Sequence, residues 1–435
     1  MKKNALVAQS GGPSPVINAS LQGVVDACFA YPDHIGKVYA GWHGIEGVLL
    51  EELRDMEKQP AEELKRLRVT PAAGATGTCR YKLNAHQTED FGRIIDVMTA
   101  HNIGYFFYIG GNDSMDTAGK VSKLARDRGL DITVTGVPKT IDNDIGDEKF
   151  TIIDHTPGYG SAARYWAHMI QNVNEENRGM CGSEPVAVLQ AMGRKSGFIT
   201  AAARLADPRR EMPLQLYMAE SGHNLETLAE NVNRELQRSG RCIVVVNEGF
   251  DVGNIGEARD AFGHIEYGAS KISAAQAVVN YLNEKGIQAR GQATGQLPGV
   301  LQRCASMHAS PVDQDEAYEV GRKAVRIATE EGGGWMATIL RAPGTVYRAV
   351  YDKVGLEDVA NSERFVPKEW LATGGIDVTD DFIRYAGPLI QGGWPELELV
   401  DGLQRFARLD VKFIDKKLAA YVPQNMRGKG RKKND

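Results

Sequence analysis

One pattern recurs along the 435-residue chain: a short apolar run stops at a glycine or polar corner, and a helical pattern takes over. Ala5–Ala8 runs into Ser10-Gly11-Gly12-Pro13, after which Val16, Ile17, Leu21, Val24, Val25 and Cys28 share one helical face. Tyr105–Ile109 ends at Gly110-Gly111-Asn112-Asp113-Ser114 and gives way to a helix over Met115–Arg126. Ile132–Val137 ends in Pro138-Lys139-Thr140-Ile141-Asp142-Asn143-Asp144. Val186–Leu189 leads to Met192-Gly193-Arg194 and a helix through Leu205, and Ile243–Val246 ends at Asn247-Glu248-Gly249. Repeated strand-to-helix units specify an α/β fold with a parallel sheet covered on both faces. Ligands of such sheets bind beyond the carboxyl ends of the strands, at topological switch points, and each of these polar clusters lies at such an end. The spacing predicts two doubly wound lobes with mainly parallel sheets, 1–150 and 151–330. A mixed C-terminal extension over 331–426 packs on the lobes, and a basic disordered tail covers 427–435.

Composition narrows the function classes. Glycine makes up 48 of 435 residues, about 11% against a usual ~7%, while proline is ordinary. The excess therefore belongs to the corners and not to low complexity. Lys and Arg total 51 against 56 Asp and Glu, so a dedicated nucleic-acid binder is not expected. The apolar stretch after Lys2 and Lys3 is only Ala5–Ala8, far short of a secretory segment, and no run approaches a membrane span. The five cysteines are far apart and form no C-x-x-C pair, which suits a reducing cytoplasm.

Several familiar motifs fail on context. Gly111–Lys120 has the wrong spacing for a nucleotide P-loop, and Val121 follows Lys120 where Ser or Thr is needed. Gly158-Tyr159-Gly160-Ser161-Ala162-Ala163 fits G-x-G-x-x-A but follows Asp154-His155-Thr156-Pro157 instead of an apolar strand. The most specific segment is Pro138–Asp144. Transfer of a phosphoryl group to a hydroxyl needs a base, an anion able to accompany a metal, and a cation for the transferring charge. Asp142, Asp144 and Lys139 offer all three within seven residues. Gly11-Gly12 can bring bare backbone amides to a phosphate at a helix start. Arg80, Arg194 and Arg303 are cations near strand ends, suited to a bidentate grip on phosphate.

Taken together, these segments resemble the phosphofructokinase family. The likeness runs from Ala5 to about Ala324, through AQSGGPSPVINASLQGVV, GTCR, IGGNDSMDTA, PKTIDND, AMGRKSGFITAAARLAD, VVNEGF and LQRCASMHASPVDQDEA. It implies that Asp142 takes the proton from the 1-hydroxyl of fructose 6-phosphate. Thr140, Ile141, Asp144, Met192, Gly193, Arg194, Glu248 and Arg303 match positions that hold the sugar phosphate, with Arg290 as a further sugar-phosphate ligand. Gly11, Gly12, Arg80 and Ser114 match contacts to the phosphoryl donor. Asn112 stands where the family usually has an Asp that helps hold Mg²⁺. Asp113 and Lys139 replace two glycines of the ATP-using members, as in the pyrophosphate-dependent branch. A carboxylate at 113 would lie against the α-phosphate of ATP, where two like charges ~4 Å apart repel by about 1 kcal/mol in water and about 4 kcal/mol at an effective dielectric of ~20. Pyrophosphate ends before that point, and Lys139 can neutralise its bridging or transferring oxygens. The resemblance thus implies a reversible pyrophosphate-dependent, Mg²⁺-requiring phosphotransferase acting on fructose 6-phosphate as a cytoplasmic homo-oligomer, with a dimer favoured. An ATP-dependent kinase and a non-catalytic sugar-phosphate sensor are the alternatives, and the presence of Asp142 argues against the second.

Overall fold

Each apolar run becomes a strand with both faces covered, which is why these strands lack polar alternation. The computed structural model describes residues 2–84, 86–254, 256–259, 264–360 and 362–427. The first lobe opens with Lys3–Gln9 (β1), Ile17–Ala30 (α1), Ile35–Gly41 (β2), Ile45–Leu49 (α2), Leu53–Asp55 (β3) and Ala61–Arg66 (α3). Thr88–Ala100 (α4), Ile103–Gly110 (β4), Asn112–Asp127 (α5) and Thr133–Pro138 (β5) follow. β1, β2, β4 and β5 run parallel, and β3 is antiparallel to β2. The helix expected over Met115–Arg126 starts three residues earlier, directly after Gly111.

The second lobe begins with the long helix Tyr159–Met180 (α6) and continues through Val186–Ala191 (β6), Phe198–Ala202 (α7) and Leu214–Tyr217 (β7). Leu225–Ser239 (α8), Cys242–Asn247 (β8), Ala274–Lys285 (α9) and Ala293–Gln296 (β9) complete it. Its four strands are all parallel in the order β7-β8-β6-β9. The β-branched run in Cys242–Asn247 is buried throughout, as suits an interior strand.

The chain then returns to the first lobe, earlier than the 151–330 boundary implies. Pro311–Glu330 (α10) packs along α1, burying Val320, Ala324 and Val325 beside Ile17, Leu21 and Val24. The two helices approach closely because each presents a glycine: a Cβ at Gly23 would stand 2.0 Å from the Tyr318 carbonyl oxygen, and one at Gly321 would stand 2.4 Å from that of Ser20. Trp335–Arg341 (β10) and Ala349–Gly355 (β11) extend the first sheet to seven strands, β11-β10-β5-β4-β1-β2-β3. Leu356–Val359 (α11) packs against the α5 side of that sheet, and Asp380–Ala386 (α12) buries Phe382 and Tyr385 in the second lobe's core. The extension thus serves both lobes. The tail expected over 427–435 lies outside the described residues except Arg427, whose guanidinium pairs with Glu89 at 2.7 Å.

In the first sheet the order reverses between β1 and β4. α1 lies on one face with β1's Ala5 and Val7, and α5 on the other with β4's Phe106 and Tyr108. In the second sheet β9 lies on the opposite side of β6 from β8. Both switch points open at carboxyl strand ends, where α/β sheets bind ligands.

Candidate active site

The corners after β1, β4 and β5 meet because their strands are neighbours in register, Gln9 beside Ile109 and Gly110 beside Pro138. Gly11 donates its N–H to the Cys79 carbonyl at 2.9 Å, and Thr78 Oγ1 donates to the Gly11 carbonyl at 2.9 Å. These bonds dock the loop that delivers Arg80. Lys139 Nζ reaches across to donate to the Gly12 carbonyl at 2.6 Å. A Cβ at Gly12 would stand 2.8 Å from Arg303 Nη1, so a side chain there would push that guanidinium tip aside. Ser114 Oγ donates to Ser10 Oγ at 2.9 Å. The Asp113 carboxylate faces Lys82 Nζ at 3.3 Å and His264 Nε2 at 3.6 Å. Asn112 donates through Nδ2 to the Ser362 carbonyl at 2.6 Å, and its Oδ1 accepts the Asp113 N–H at 2.9 Å.

On the other wall, Arg194 spans two carboxylates. Its Nε lies 3.2 Å from Asp142 Oδ2 and its Nη2 2.5 Å from Asp144 Oδ2. Glu248, at the end of β8, accepts the N–H groups of Gly193 at 3.2 Å and Arg194 at 2.8 Å through Oε1, which fixes the corner after β6. Gln302 does the same for Met192, whose N–H it accepts at 3.0 Å.

Burial tunes these groups. It raises the Asp142 carboxyl, as does the neighbouring Asp144, against the pull of Arg194. It pushes Lys139 down to about 7 against the attraction of Asp142. It also lifts Glu248 to about 7, with Asp142 adding to the effect. The Asp144 carboxylate, ahead of all other causes, holds the Arg194 guanidinium in its charged form. A carboxylate raised toward neutrality beside fixed cations is the arrangement general-base and phosphoryl-transfer chemistry use.

One cleft of about 700 Å³ gathers most of the residues singled out from sequence: Gly11, Gly12, Arg80, Asn112, Asp113, Ser114, Lys139, Thr140, Ile141, Asp142, Met192, Arg194, Glu248 and Arg303. Asp144 and Gly193 stand just behind that lining, bonded to Arg194 and Glu248. Arg290 does not join them. It is exposed, three residues before β9 begins, and so lies toward the amino ends of the second sheet's strands, whereas the cleft opens at their carboxyl ends. Sequence reading overlooked Lys82, Gln190, Gln302 and the segment His264–Ser273, whose residues line the cleft or face Asp113. Only Gln302 had a signal, its place beside Arg303.

A family model for phosphofructokinase matches residues 4–328. The chain belongs to the phosphofructokinase family. A pyrophosphate--fructose 6-phosphate 1-phosphotransferase of Halomonas elongata is 39% identical over 96% of this chain and 99% of its own length. Its namesake in Methylococcus capsulatus is 38% identical over 96% and 98%. The crystal structure of a pyrophosphate-dependent phosphofructokinase from Nitrosospira multiformis superposes with a TM-score of 0.86 at 36% identity, covering 97% of this chain and all of that one. In this member of the phosphofructokinase family the G-x-G-x-x-A turn is filled from within. The Asp313 carboxylate accepts the N–H groups of Gly158 at 2.9 Å and Ser161 at 2.8 Å, taking the place the diphosphate of a dinucleotide would need at the start of α6.

Proposed function

We infer that the chain catalyses reversible phosphoryl transfer from pyrophosphate to the 1-hydroxyl of fructose 6-phosphate, giving fructose 1,6-bisphosphate and phosphate. The observation that carries this reading is the convergence, in one cleft, of Asp113 and Lys139 at adjacent strand ends with Asp142 opposite Arg194. Asp142 accepts the hydroxyl proton as the oxygen attacks phosphorus in line. Lys139, Arg80 and Arg194 carry cationic charge to the transferring group, and the amide corner at Gly11-Gly12 seats the donor. Thr140, Ile141, Asp144, Met192, Gly193, Glu248 and Arg303 shape the sugar-phosphate side. Asp113 bars a longer donor by occupying the ground of an α-phosphate.

Among the described residues no cluster of three or more His, Cys, Asp or Glu side chains is placed to hold a metal. Mg²⁺ needs fewer, because it binds through one or two carboxylates with phosphate and water supplying the rest. Asp113 and Asp142 are carboxylates of that kind in the cleft, and Asn112 adds a neutral oxygen with one lone pair already taken by the Asp113 N–H. When bound, the ion neutralises phosphoryl charge. The cysteines at 28, 79, 181, 242 and 304 are all free thiols, which supports a cytoplasmic setting. Leu297, Val300, Leu301 and Met307 are each more than half exposed on one short segment beside the cleft, which supports a homodimer that covers them.

The test is a comparison of kcat/KM for pyrophosphate and ATP with fructose 6-phosphate as acceptor. Strong preference for pyrophosphate is expected. Equal or greater efficiency with ATP overturns the reading of Asp113 and Lys139.

A further inference from the structure

Asn143 stands between the two functional carboxylates and adopts a left-handed backbone, φ +58°. Asn tolerates this region better than most residues but still needs to be held there. It is fully buried, and both ends of its side chain are engaged. Its Oδ1 accepts from Arg364 Nη2 at 2.8 Å and from the Thr156 N–H at 3.1 Å, and its Nδ2 donates to the Tyr385 hydroxyl at 2.8 Å. Its carbonyl accepts from Arg364 Nε at 3.0 Å. The N–H of Arg364 donates to the Asp144 carbonyl at 2.8 Å, and Nη1 donates to that of Ile153 at 2.7 Å. Tyr385 completes the set by donating its hydroxyl to the Asp154 carbonyl at 2.8 Å.

Arg364 is 0% exposed, and its guanidinium carbon lies 4.4 Å from the Phe150 ring centroid and 5.5 Å from that of Phe198. Its nitrogens bond to oxygens of residues 143 and 153, with no carboxylate partner among the described residues. Burying a guanidinium on these terms is unfavourable when packing is all that is required, because an apolar side chain could fill the space. What the guanidinium alone supplies is a rigid planar fork that fixes several carbonyls relative to one another. The oxygens it fixes are those of Asn143, between Asp142 and Asp144, and of Ile153.

We propose that Arg364 and Tyr385, from the C-terminal extension, are positioning residues for the phosphoryl transfer: they hold Asn143 in its left-handed conformation and so set Asp142 and Asp144 on either side of Arg194. This rests on the reading of Asp142 as the proton acceptor. The extension is thus part of the catalytic apparatus although none of its residues lines the cleft.

Tyr385→Phe removes one hydroxyl and keeps the ring, so it is the main test on the full chain. Arg364→Lys, which keeps the charge and loses the fork, is its companion. With pyrophosphate and fructose 6-phosphate, kcat is expected to fall about 10–100-fold, the scale of a small misplacement of reacting groups. Both KM values should stay within about twofold, because those two side chains touch no cleft-lining substrate group. The thermal midpoint of Tyr385→Phe should fall by a few degrees, because the buried Asn143 amide and Asp154 carbonyl each lose a partner. Wild-type kcat in Tyr385→Phe, whatever its midpoint, overturns the proposal even if Arg364→Lys does not fold. Absence of pyrophosphate-dependent turnover in the parent chain overturns the functional reading and this inference together, whereas an active parent with an equally active Tyr385→Phe overturns the inference alone.

Discussion

Lys139 combines near-complete burial with the cationic role proposed for it at the donor. Burial pushes it down to about 7, so in the free enzyme the ammonium is present below that pH and lost above it. The kcat/KM for pyrophosphate is therefore expected to fall as pH rises through about 7, by up to about tenfold per unit. Lys139→Arg, which stays charged, should move that limb to higher pH. An unmoved limb would assign it to another group, Glu248 being the alternative because it also titrates at about 7. Asp142→Ser should lower kcat by about 10²–10⁴ while leaving substrate binding largely intact, and steady-state kinetics with both substrates checks it. In the proposed exclusion of ATP, the bulk of Asp113 counts beside its charge, because Lys82 at 3.3 Å and His264 at 3.6 Å already face that carboxylate. Asp113→Gly, alone or with Lys139→Gly, removes both the repulsion and the bulk and sets the Lys82 ammonium opposite the nucleotide. ATP affinity should rise by about fivefold to a thousandfold, the range set by ~1–4 kcal/mol of relieved repulsion. No gain in ATP binding for the double variant would refute the exclusion account.

At the scale of elements, α6 begins on two N–H groups satisfied by one carboxylate from α10, a contact across 152 to 155 residues of chain. Asp313→Ala leaves those buried donors unmet, at a cost on the order of 2 kcal/mol or more, read as a lower urea midpoint; an unchanged midpoint would mean that water replaces the carboxylate. Burial lifts Asp313 to about 6, so Asp313→Asn, which keeps one acceptor oxygen, should cost less. The same contact marks how far elements were legible in the chain. Ala5–Ala8, Tyr105–Ile109, Val186–Leu189 and Ile243–Val246 could be read as strands because a two-sided interior demands continuous apolar runs, and their corners could be read because a phosphate approach demands glycine or polar residues there. That α10 leaves the second lobe for the first, and that β10 and β11 close the first sheet, depends on which surface each element finds. Nothing in a run such as Trp335–Arg341 names its neighbour. Arg290 stands apart from the cleft for a related reason: a cation's sign is visible in sequence, but the end of the sheet it occupies is not. Asn143 is legible only as part of its motif, because two of the partners that hold it, Arg364 and Tyr385, lie more than 200 residues away.

At the scale of the whole molecule, one buried charge network ties the segment between the lobes to the returning C-terminal quarter. His155 donates through Nδ1 to Asp154 at 2.8 Å and through Nε2 to Glu316 on α10 at 2.7 Å. Arg341 on β10 donates to both Asp154 oxygens, Nε at 3.1 Å and Nη2 at 3.0 Å. The Tyr347 hydroxyl closes the set on Glu316. An imidazole with a carboxylate on each nitrogen can donate to both only as the imidazolium. Burial by itself would lower His155, but the Glu316 charge and the two hydrogen bonds overcome it and hold the ring at about 9, above its ordinary 6.5. Burial would likewise raise Asp154, yet His155 and Arg341 bring it to about 2 from 3.8. The signs then fix the stability profile. The His155 contribution is whole below 6.5 and disappears as pH climbs through 9, while the Asp154 contribution is whole above 3.8 and disappears as pH falls through 2. The network is therefore fully effective between about 4 and 6.5, and it weakens across the neutral and alkaline range. Equilibrium urea unfolding of the parent and His155→Gln at several pH values separates this from a general alkaline loss. The gap between the two should be widest at mildly acidic pH, on the order of a few kcal/mol, and should narrow steadily toward pH 9. Parallel profiles across that span would show that His155 is held neutral.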